Sequence, residues 1–409
     1  MTYQMVAGIR CTVMRNRFSG HCRREAGRMK EYLKTYQIRL HTASPVHVGT
    51  GKTLGKKEYI FLYQRKKVLI PDVNKLYQGL ERKGLGTKFA QYLLSDDWID
   101  LGRWLRNNQI SPRDYQNWIK YELDCGDFLQ EEGKKQIQVM DFQKDSYGLP
   151  YVPGTSIKGM LRTVLLAYRL LTEKENWHSE REWVAREARQ SNDKRKWYLS
   201  RENAQIEEKM FHTLFRKDAN GKEVDRRNAV NDCLSGLIVS DSEPLSLDDL
   251  VLCQKIDENV EGKRHAINIL RESIKPGRDI KFQLTIDAKL CQYTMEDILK
   301  AVELFGDAYY EMFLSKFKTS DRPLGNTVWL GGGAGFFTKT VVYPLLGQSR
   351  GLETAVSVFK HTLPNRIFRE HKHDRDQNYG VSPHILKCTQ YQGTSYPMGM
   401  CLLEVAESG

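Results

Sequence analysis

The sequence predicts an α+β fold, because segments with the two-residue period of strands are interspersed with segments that have the spacing of buried helices. Residues 280–286 alternate apolar and polar side chains, as a half-buried strand does. A helical stripe of apolar side chains comprises Ile157, Leu161, Val164, Leu165 and Tyr168. The 409 residues, 40% of them hydrophobic, suffice for two domains with cores. We therefore expect small sheets covered by helices.

In the first part of the chain, these periodicities predict a strand, then a hairpin, then a series of helices. The hairpin has a basic turn at Gln64, Arg65 and Lys66. The predicted strands are 36–40, 58–63, 67–71, 234–240 and 251–256, and the predicted helices are 73–82, 87–106, 111–122 and a long helix that starts near Ser156. Residues 173–231 are densely charged and helical in pattern, which is typical of a solvated insertion.

A second unit is predicted to begin around Pro276. Thr294 and Asp297 have the spacing of a capping box, and the apolar stripe of a long amphipathic helix follows them. The elements predicted in this unit are strands at 280–286, 384–391 and 400–405, a long helix at 298–313 and a shorter helix at 353–360. A polar loop is expected between the shorter helix and the strand at 384–391.

The charge and cysteine content restrict the possible partners and compartments. A net charge of +12, from 63 basic and 51 acidic residues, favours a polyanionic partner, although ordinary surface charge accounts for the same excess. The eight cysteines include no CxxC pair, which indicates neither a zinc site nor a disulfide framework. We expect reduced thiols in a cytoplasmic protein. No apolar run approaches the roughly 18 residues of a membrane span, so no membrane partner is expected.

The segment YVPGTSIKGMLR at 151–162 joins a Pro-Gly turn to a helix start that carries cations. Thr155 or Ser156 is predicted to cap this helix, and Lys158 lies one turn before Arg162. Free N–H groups, hydroxyls and cations at one helix end favour an anion, and phosphate fits best. An ordinary capped helix with solvated cations is the alternative.

The segment WLGGGAGFFTKT at 329–340 is rich in glycine, which lets a backbone approach a ligand closely. Gly332, Gly333, Gly335 and Lys339 are the candidate phosphate contacts here, and the neighbouring Phe side chains offer stacking faces. A tight, close-packed turn without a ligand is the alternative.

Motifs for nucleotide cofactors are incomplete in this chain. HVGTGKT at 47–53 is not a P-loop, because Val46 stands where the first glycine is required. The glycines at 331–335 lack the last glycine of GxGxxG, because Phe336 stands there. We therefore expect no cofactor.

The best metal-like cluster is His371, His373, Asp374 and Asp376, two histidines at i and i+2 with nearby carboxylates. The sequence shows no third fixed partner for them. A solvated loop without a metal is therefore predicted.

Four segments in order resemble the RAMP superfamily of CRISPR RNA-binding proteins: KTYQIRLHTASPVHVGTG, PGTSIKGMLR, LGGGAGFFTKT and SPHILKCTQY. Within it, the sequence is most similar to the family of fifth Csm subunits of type III-A interference complexes, from about residue 29 to 409. The helix start is specific to the superfamily, whereas the Gly-rich loop alone is a weak signal.

The resemblance implies two ferredoxin-like, RRM-type domains at 29–275 and 276–409, with helical insertions at about 73–135 and 173–231. Members of the family begin near Met29, so we expect residues 1–28, which carry six arginines and one Glu25, to be a non-native or disordered basic leader.

The resemblance also implies a noncatalytic subunit that binds CRISPR RNA (crRNA) and caps the 3′ side of the Csm complex. Its expected partners are crRNA, the second and third Csm proteins, and host nucleases that trim the crRNA 3′ end. The expected RNA-binding residues are His47, Lys52, Thr155, Ser156, Lys158, Arg162, Gly332, Gly333, Gly335 and Lys339. No catalytic residue is expected.

Two other functions remain compatible with the sequence. A lone histidine near a strand end, His47, can act as general base in a metal-independent RAMP endonuclease. Alternatively, the chain is a protein-interaction scaffold without RNA contact, and residues 173–231 contact a neighbouring subunit.

Overall fold

The computed structural model describes residues 32–96, 98–128, 137–191 and 197–406. The predicted leader at 1–28 and the predicted start at Met29 therefore lie outside the described residues. The fold mixes helices and sheets, which confirms the α+β prediction.

The described strands form three sheets. The strands are β1 (Leu33–Thr42), β2 (Gly49–Leu54), β3 (Ile60–Leu62), β4 (Lys67–Pro71), β5 (Ile119–Asp124), β6 (Gln138–Phe142), β7 (Leu237–Val239), β8 (Leu250–Asn259), β9 (Arg264–Ile274), β10 (Asp279–Asp287), β11 (Thr327–Trp329), β12 (Ile385–Tyr391), β13 (Thr394–Pro397) and β14 (Met400–Ala406).

The helices occur mostly in groups between these strands and pack against the sheets. They are α1 (Val73–Arg82), α2 (Gly86–Leu94), α3 (Leu101–Asn107), α4 (Pro112–Tyr115), α5 (Gly154–Thr172), α6 (His178–Gln190), α7 (Ser200–Phe211), α8 (Met295–Met312), α9 (Val342–Thr362), α10 (Asn365–Glu370) and α11 (Asp376–Tyr379). Short 3₁₀ turns connect several of them.

The first sheet is antiparallel and has the strand order β11-β14-β1-β10-β7. Its central strand β1 alternates exposed and buried residues, and Leu40 lies opposite Ile280 on one side and Leu403 on the other. Strands from both sides of residue 276 therefore share this sheet. The domain boundary at that residue stays a prediction.

The second sheet has the order β13-β12-β8-β9-β6-β2, and only its β6–β9 pair is parallel among the described strands. The N-terminal segment also reaches this sheet, because Val46 exchanges two backbone hydrogen bonds with Ile274 at the end of β9. The chain just after β1 is thereby held against both large sheets.

One hydrophobic core connects the two large sheets with helices α5, α8 and α9. The third sheet, β3-β4-β5, and helices α1–α4 enclose a second core around Leu80, Phe89 and Trp104. Much of the predicted insertion at 73–135 thus belongs to a small unit with an interior of its own.

The element predictions differ from the structure in several places, and the helix predicted at 353–360 is the second part of the longer α9. Residues 87–106 form two helices, α2 and α3, rather than one. The helix predicted at 111–122 ends at Tyr115, and the alternating residues after it pair with β4 as β5. The predicted polar loop after 360 contains α10 and α11. Strand β9 was missed because its first half is polar and exposed, and only its second half is buried.

Candidate functional site

Two of the segments singled out in the sequence meet at His47. The Gly332 N–H donates a hydrogen bond of 2.7 Å to the His47 carbonyl oxygen. Gly331 has φ +84°, and a Cβ there would lie 2.1 Å from the same oxygen. This position therefore requires glycine for a close approach to the protein's own backbone. The loop at 331–335 is anchored to the chain that follows β1.

The His47 ring is buried and neutral. Only 2% of the residue is exposed, and its Nδ1 lies 2.7 Å from the Glu272 carbonyl oxygen, to which the Nδ1–H donates. The pKa of His47 is lowered from 6.5 to about 4, chiefly by burial and also by the Arg271 charge, although the hydrogen bond to the Glu272 carbonyl raises it. A general base works best with a pKa near the operating pH, so this ring is poorly matched to that role.

Arg271 completes this part of the site, and the sequence analysis did not identify it. It lies on β9 with 9% of its surface exposed, and no described residue hydrogen-bonds its Nε or Nη1. A Cβ at Gly333 would lie 2.9 Å from Nη1, so the guanidinium is directly beside the Gly-rich loop. Burial lowers the pKa of Arg271. A buried guanidinium with two unsatisfied donor nitrogens is costly unless a ligand pairs with it.

The carboxylate next to Arg271 is already committed to other partners. Glu272 is fully buried and accepts hydrogen bonds from the Tyr121 hydroxyl (2.8 Å), the Phe142 N–H (2.9 Å) and the Lys144 ammonium. Lys144 also contacts Asp141 at 2.7 Å. This network fixes the strands under His47, and it leaves Arg271 without that carboxylate.

The predicted cap of the PGTSIKGMLR helix was wrong. Pro153 is the N-cap residue of α5, and neither Thr155 nor Ser156 makes a capping hydrogen bond. Instead, the Gly154 N–H donates to the Asp241 carboxylate at 2.8 Å. Because a carboxylate already occupies one N–H at this helix start, fewer donors are left there for an anion than the sequence suggested.

The two cations of this helix have different environments. Arg162 pairs with Asp232 (2.6 Å) and Glu207 (3.0 Å), and its guanidinium lies 4.1 Å from the Phe211 ring centroid. Its charge is therefore used within the protein. Lys158 is half-buried and has no hydrogen bond or ion pair with any described residue, and burial lowers its pKa.

Four of the other candidates lie at the surface, whereas Ser156, Gly333 and Gly335 are partly buried. Thr155, Gly332 and Lys339 are exposed, and α5 contacts the 3₁₀ turn that contains Lys339. Lys52 is exposed on β2 and pairs loosely with Glu58 at 3.4 Å. Helix α5 and the end of the segment 329–340 are thus in contact, and the Gly-rich loop also lies against His47 and Arg271.

The sequence matches a known superfamily of proteins. The family model of the RAMP superfamily matches residues 39–338, and the chain belongs to this superfamily. No described helix is long and apolar enough to cross a lipid bilayer.

Curated relatives confirm the resemblance to the fifth Csm subunit. The chain is 27% identical over 408 residues to the CRISPR system Cms protein Csm5 of Mycobacterium tuberculosis, with 92% of this chain and 99% of the relative covered. It is 28% identical over 322 residues to Csm5 of Streptococcus thermophilus, with 76% and 82% covered.

Solved structures share the fold. One similar chain belongs to a cryo-EM structure of a Csm–crRNA–target RNA ternary complex of a type III-A system, with a TM-score of 0.59, 19% identity, and 90% of this chain and 100% of that chain covered. The crystal structure of T. onnurineus Csm5 gives a TM-score of 0.52 and 21% identity, with 89% and 99% covered.

Proposed function

We propose that this protein is a noncatalytic crRNA-binding subunit of a type III-A Csm complex, which caps the 3′ side of the crRNA and supports its 3′ maturation. Its neighbours would be the second and third Csm proteins, and host nucleases would trim the RNA. Its similarity to proteins named Csm5, which covers most of their length, supports membership of such a complex. We also propose that its two halves are ferredoxin-like units and that it acts in the cytoplasm.

The observation that carries RNA binding is the unsatisfied guanidinium of Arg271 beside the Gly-rich loop. A phosphate suits the guanidinium, because arginine presents paired N–H donors to phosphate oxygens, and the absence of a side chain at Gly333 leaves the space in which the Arg271 Nη1 lies beside the loop. Gly332, Lys339 and Lys158 would extend the contact along the RNA backbone. Phosphate contacts fix the position of an RNA without reading its sequence, as a capping subunit requires.

The state of His47 supports a noncatalytic role. A ring with a pKa of about 4 that donates Nδ1–H to a backbone carbonyl shapes the strand junction. We therefore favour RNA positioning over the endonuclease alternative.

The direct test combines RNA binding with RNA integrity. The purified chain is incubated with labelled crRNA intermediate, with and without EDTA, and the products are resolved on denaturing and native gels. We expect a shifted RNA of unchanged length. Discrete shortening that persists in EDTA and disappears in His47→Ala would instead establish the endonuclease. A chain that assembles with the other Csm subunits but does not contact RNA would be the scaffold.

The position on the RNA requires a second test in the reconstituted complex. Photoreactive uridines placed near either end of the crRNA should crosslink to this subunit only from the 3′ side. Crosslinks only from the 5′ side would refute the capping role.

The contribution of Lys158 is testable with a matched control. Lys158→Ala should weaken crRNA binding most at low salt, because it removes one free cation, whereas Lys300→Ala removes a cation that pairs with Glu296 on the exposed face of α8. Equal effects of the two variants across a salt series would remove Lys158 from the site.

A further inference from the structure

A second cluster of chemically active side chains lies in the segment that the sequence predicted as a solvated loop. His373 and Asp376 are buried, at 5% and 0% exposed, and His384 joins them from just before β12. The prediction of a solvated cluster with no third partner was therefore wrong. The exposed His371 and Asp374, which the sequence grouped with these residues, are not part of the buried cluster.

Two imidazoles and one hydroxyl converge on the Asp376 carboxylate. The His373 Nδ1 lies 3.0 Å from one carboxylate oxygen, and the His384 Nδ1 contacts the other. The Ser382 hydroxyl also donates to Asp376, at 2.6 Å. One ligand atom from each of His373, Asp376 and His384 lies within 4.8 Å of the other two.

Aromatic rings hold both imidazoles in place. His373 stacks on Phe359 of α9 with centroids 4.6 Å apart and an interplanar angle of 7°. His384 stacks on Tyr379 of α11 at 4.9 Å. The ring orientations are therefore set by packing, and both Nδ1 atoms are turned inward. Such pre-orientation is what a ligand set requires.

The charge balance of the cluster points to a cation. Asp376 is fully buried, and the partners that the structure gives it are two imidazoles and one hydroxyl, with no Lys or Arg in direct contact among the described residues. A buried carboxylate is costly without a compensating charge. Two imidazole nitrogens and a carboxylate oxygen form a donor set that suits Zn²⁺ and similar transition metals better than Mg²⁺ or Ca²⁺.

We propose that His373, Asp376 and His384 bind a transition-metal ion of the Zn²⁺ class through the two Nδ1 atoms and the carboxylate, with water as a further ligand. His384 borders an open cavity of about 540 Å³, which gives the ion an entry path. When the ion binds, each imidazole carries its proton on Nε2. The ion would join α11 to the start of β12 beside α9, and thus stabilise the C-terminal segment. This site is independent of the proposed RNA function.

Cobalt(II) provides the first test, because its visible absorption reports ligand type and coordination number. The untagged full chain is stripped with EDTA and titrated with Co²⁺, and Zn²⁺ or Mg²⁺ then competes. We expect about one equivalent of Co²⁺ with the intense visible bands of a four-coordinate site and no thiolate-to-cobalt band, displaced by Zn²⁺ and not by excess Mg²⁺. Binding of less than about a tenth of an equivalent would overturn the proposal.

Variants identify the ligands. Asp376→Asn should weaken Co²⁺ binding at least about tenfold, whereas His265→Gln, which changes an exposed histidine on the same cavity, should not change it. His384→Cys should retain the ion and add a thiolate-to-cobalt band, which a merely structural role of His384 would not produce. A folded Asp376→Asn with unchanged affinity, or a His384→Cys protein that binds Co²⁺ without the new band, would refute the assignment. If Asp376→Asn does not fold, the wild-type titration and His384→Cys decide.

Discussion

Replacing Arg271 with methionine should make the protein more stable and lower its affinity for RNA. Methionine has a similar length and no charge, so the variant keeps most of the packing and removes two unsatisfied N–H donors. Each unsatisfied buried donor costs about 1 kcal/mol or more, so the free energy of unfolding should rise by about 2 kcal/mol. For a chain of 409 residues at about 2.1 cal/mol/K per residue, this corresponds to a melting temperature about 2 °C higher.

The loss of RNA affinity should be at least about tenfold. A hydrogen bond to a charged group contributes about 1.5–3 kcal/mol, and about 1.4 kcal/mol corresponds to a factor of ten in Kd. The slope of log K against log salt should also become shallower by about 0.7, as expected for one lost phosphate contact with a single strand.

Fluorescence anisotropy with labelled crRNA over a salt series, beside chemical denaturation, measures both effects. Arg350→Met is the matched control, because Arg350 is paired with Glu182 and should not affect RNA binding when removed. A folded Arg271→Met protein that is clearly less stable and binds RNA as the wild type does would refute the reasoning. Arg271 would then be a structural residue, and the phosphate site would lie elsewhere.

Two further predictions concern stability. Gly331→Ala should lower the free energy of unfolding by about 2–4 kcal/mol, because φ is +84° and the Cβ would meet the His47 carbonyl. Gly159 lies on α5 with open space around it, so Gly159→Ala should raise the free energy of unfolding by up to about 1 kcal/mol. Equal effects of the two substitutions in denaturant unfolding would contradict this contrast. The folded pKa of His47 is about 4 and the unfolded value is 6.5, so the fold favours the neutral ring. The neutral ring therefore contributes about 3 kcal/mol to the free energy of unfolding above pH 6.5, and this contribution is lost as the pH falls towards 4. His47→Gln should flatten the pH dependence of unfolding in that window, and an unchanged profile would show that His47 is accessible to protons in the fold.

The candidate site could be predicted in part. The sequence predicted that the Gly-rich loop approaches a ligand closely, with a close-packed turn as the alternative. At Gly331 the loop packs closely against the His47 carbonyl, so this glycine serves packing. The helix start was recognised as a feature, yet Asp241, far along the chain, caps it. Arg162 was expected to be a free cation, but it pairs with Glu207 and Asp232. Both acidic residues lie too far along the chain for a helical spacing to predict these ion pairs.

The sequence by itself determined the α+β class, the strand at β1, most of the long helices and membership of the superfamily, because period and short motifs are local properties of the chain. Only the tertiary structure decided that β1 lies between β10 and β14, that the buried Arg271 Nε and Nη1 have no hydrogen-bond partner among the described residues, and that His384 joins His373 and Asp376. These features depend on which distant segments meet. Residues become buried only when the sheets assemble, and only then does an unpaired charge carry a free-energy cost.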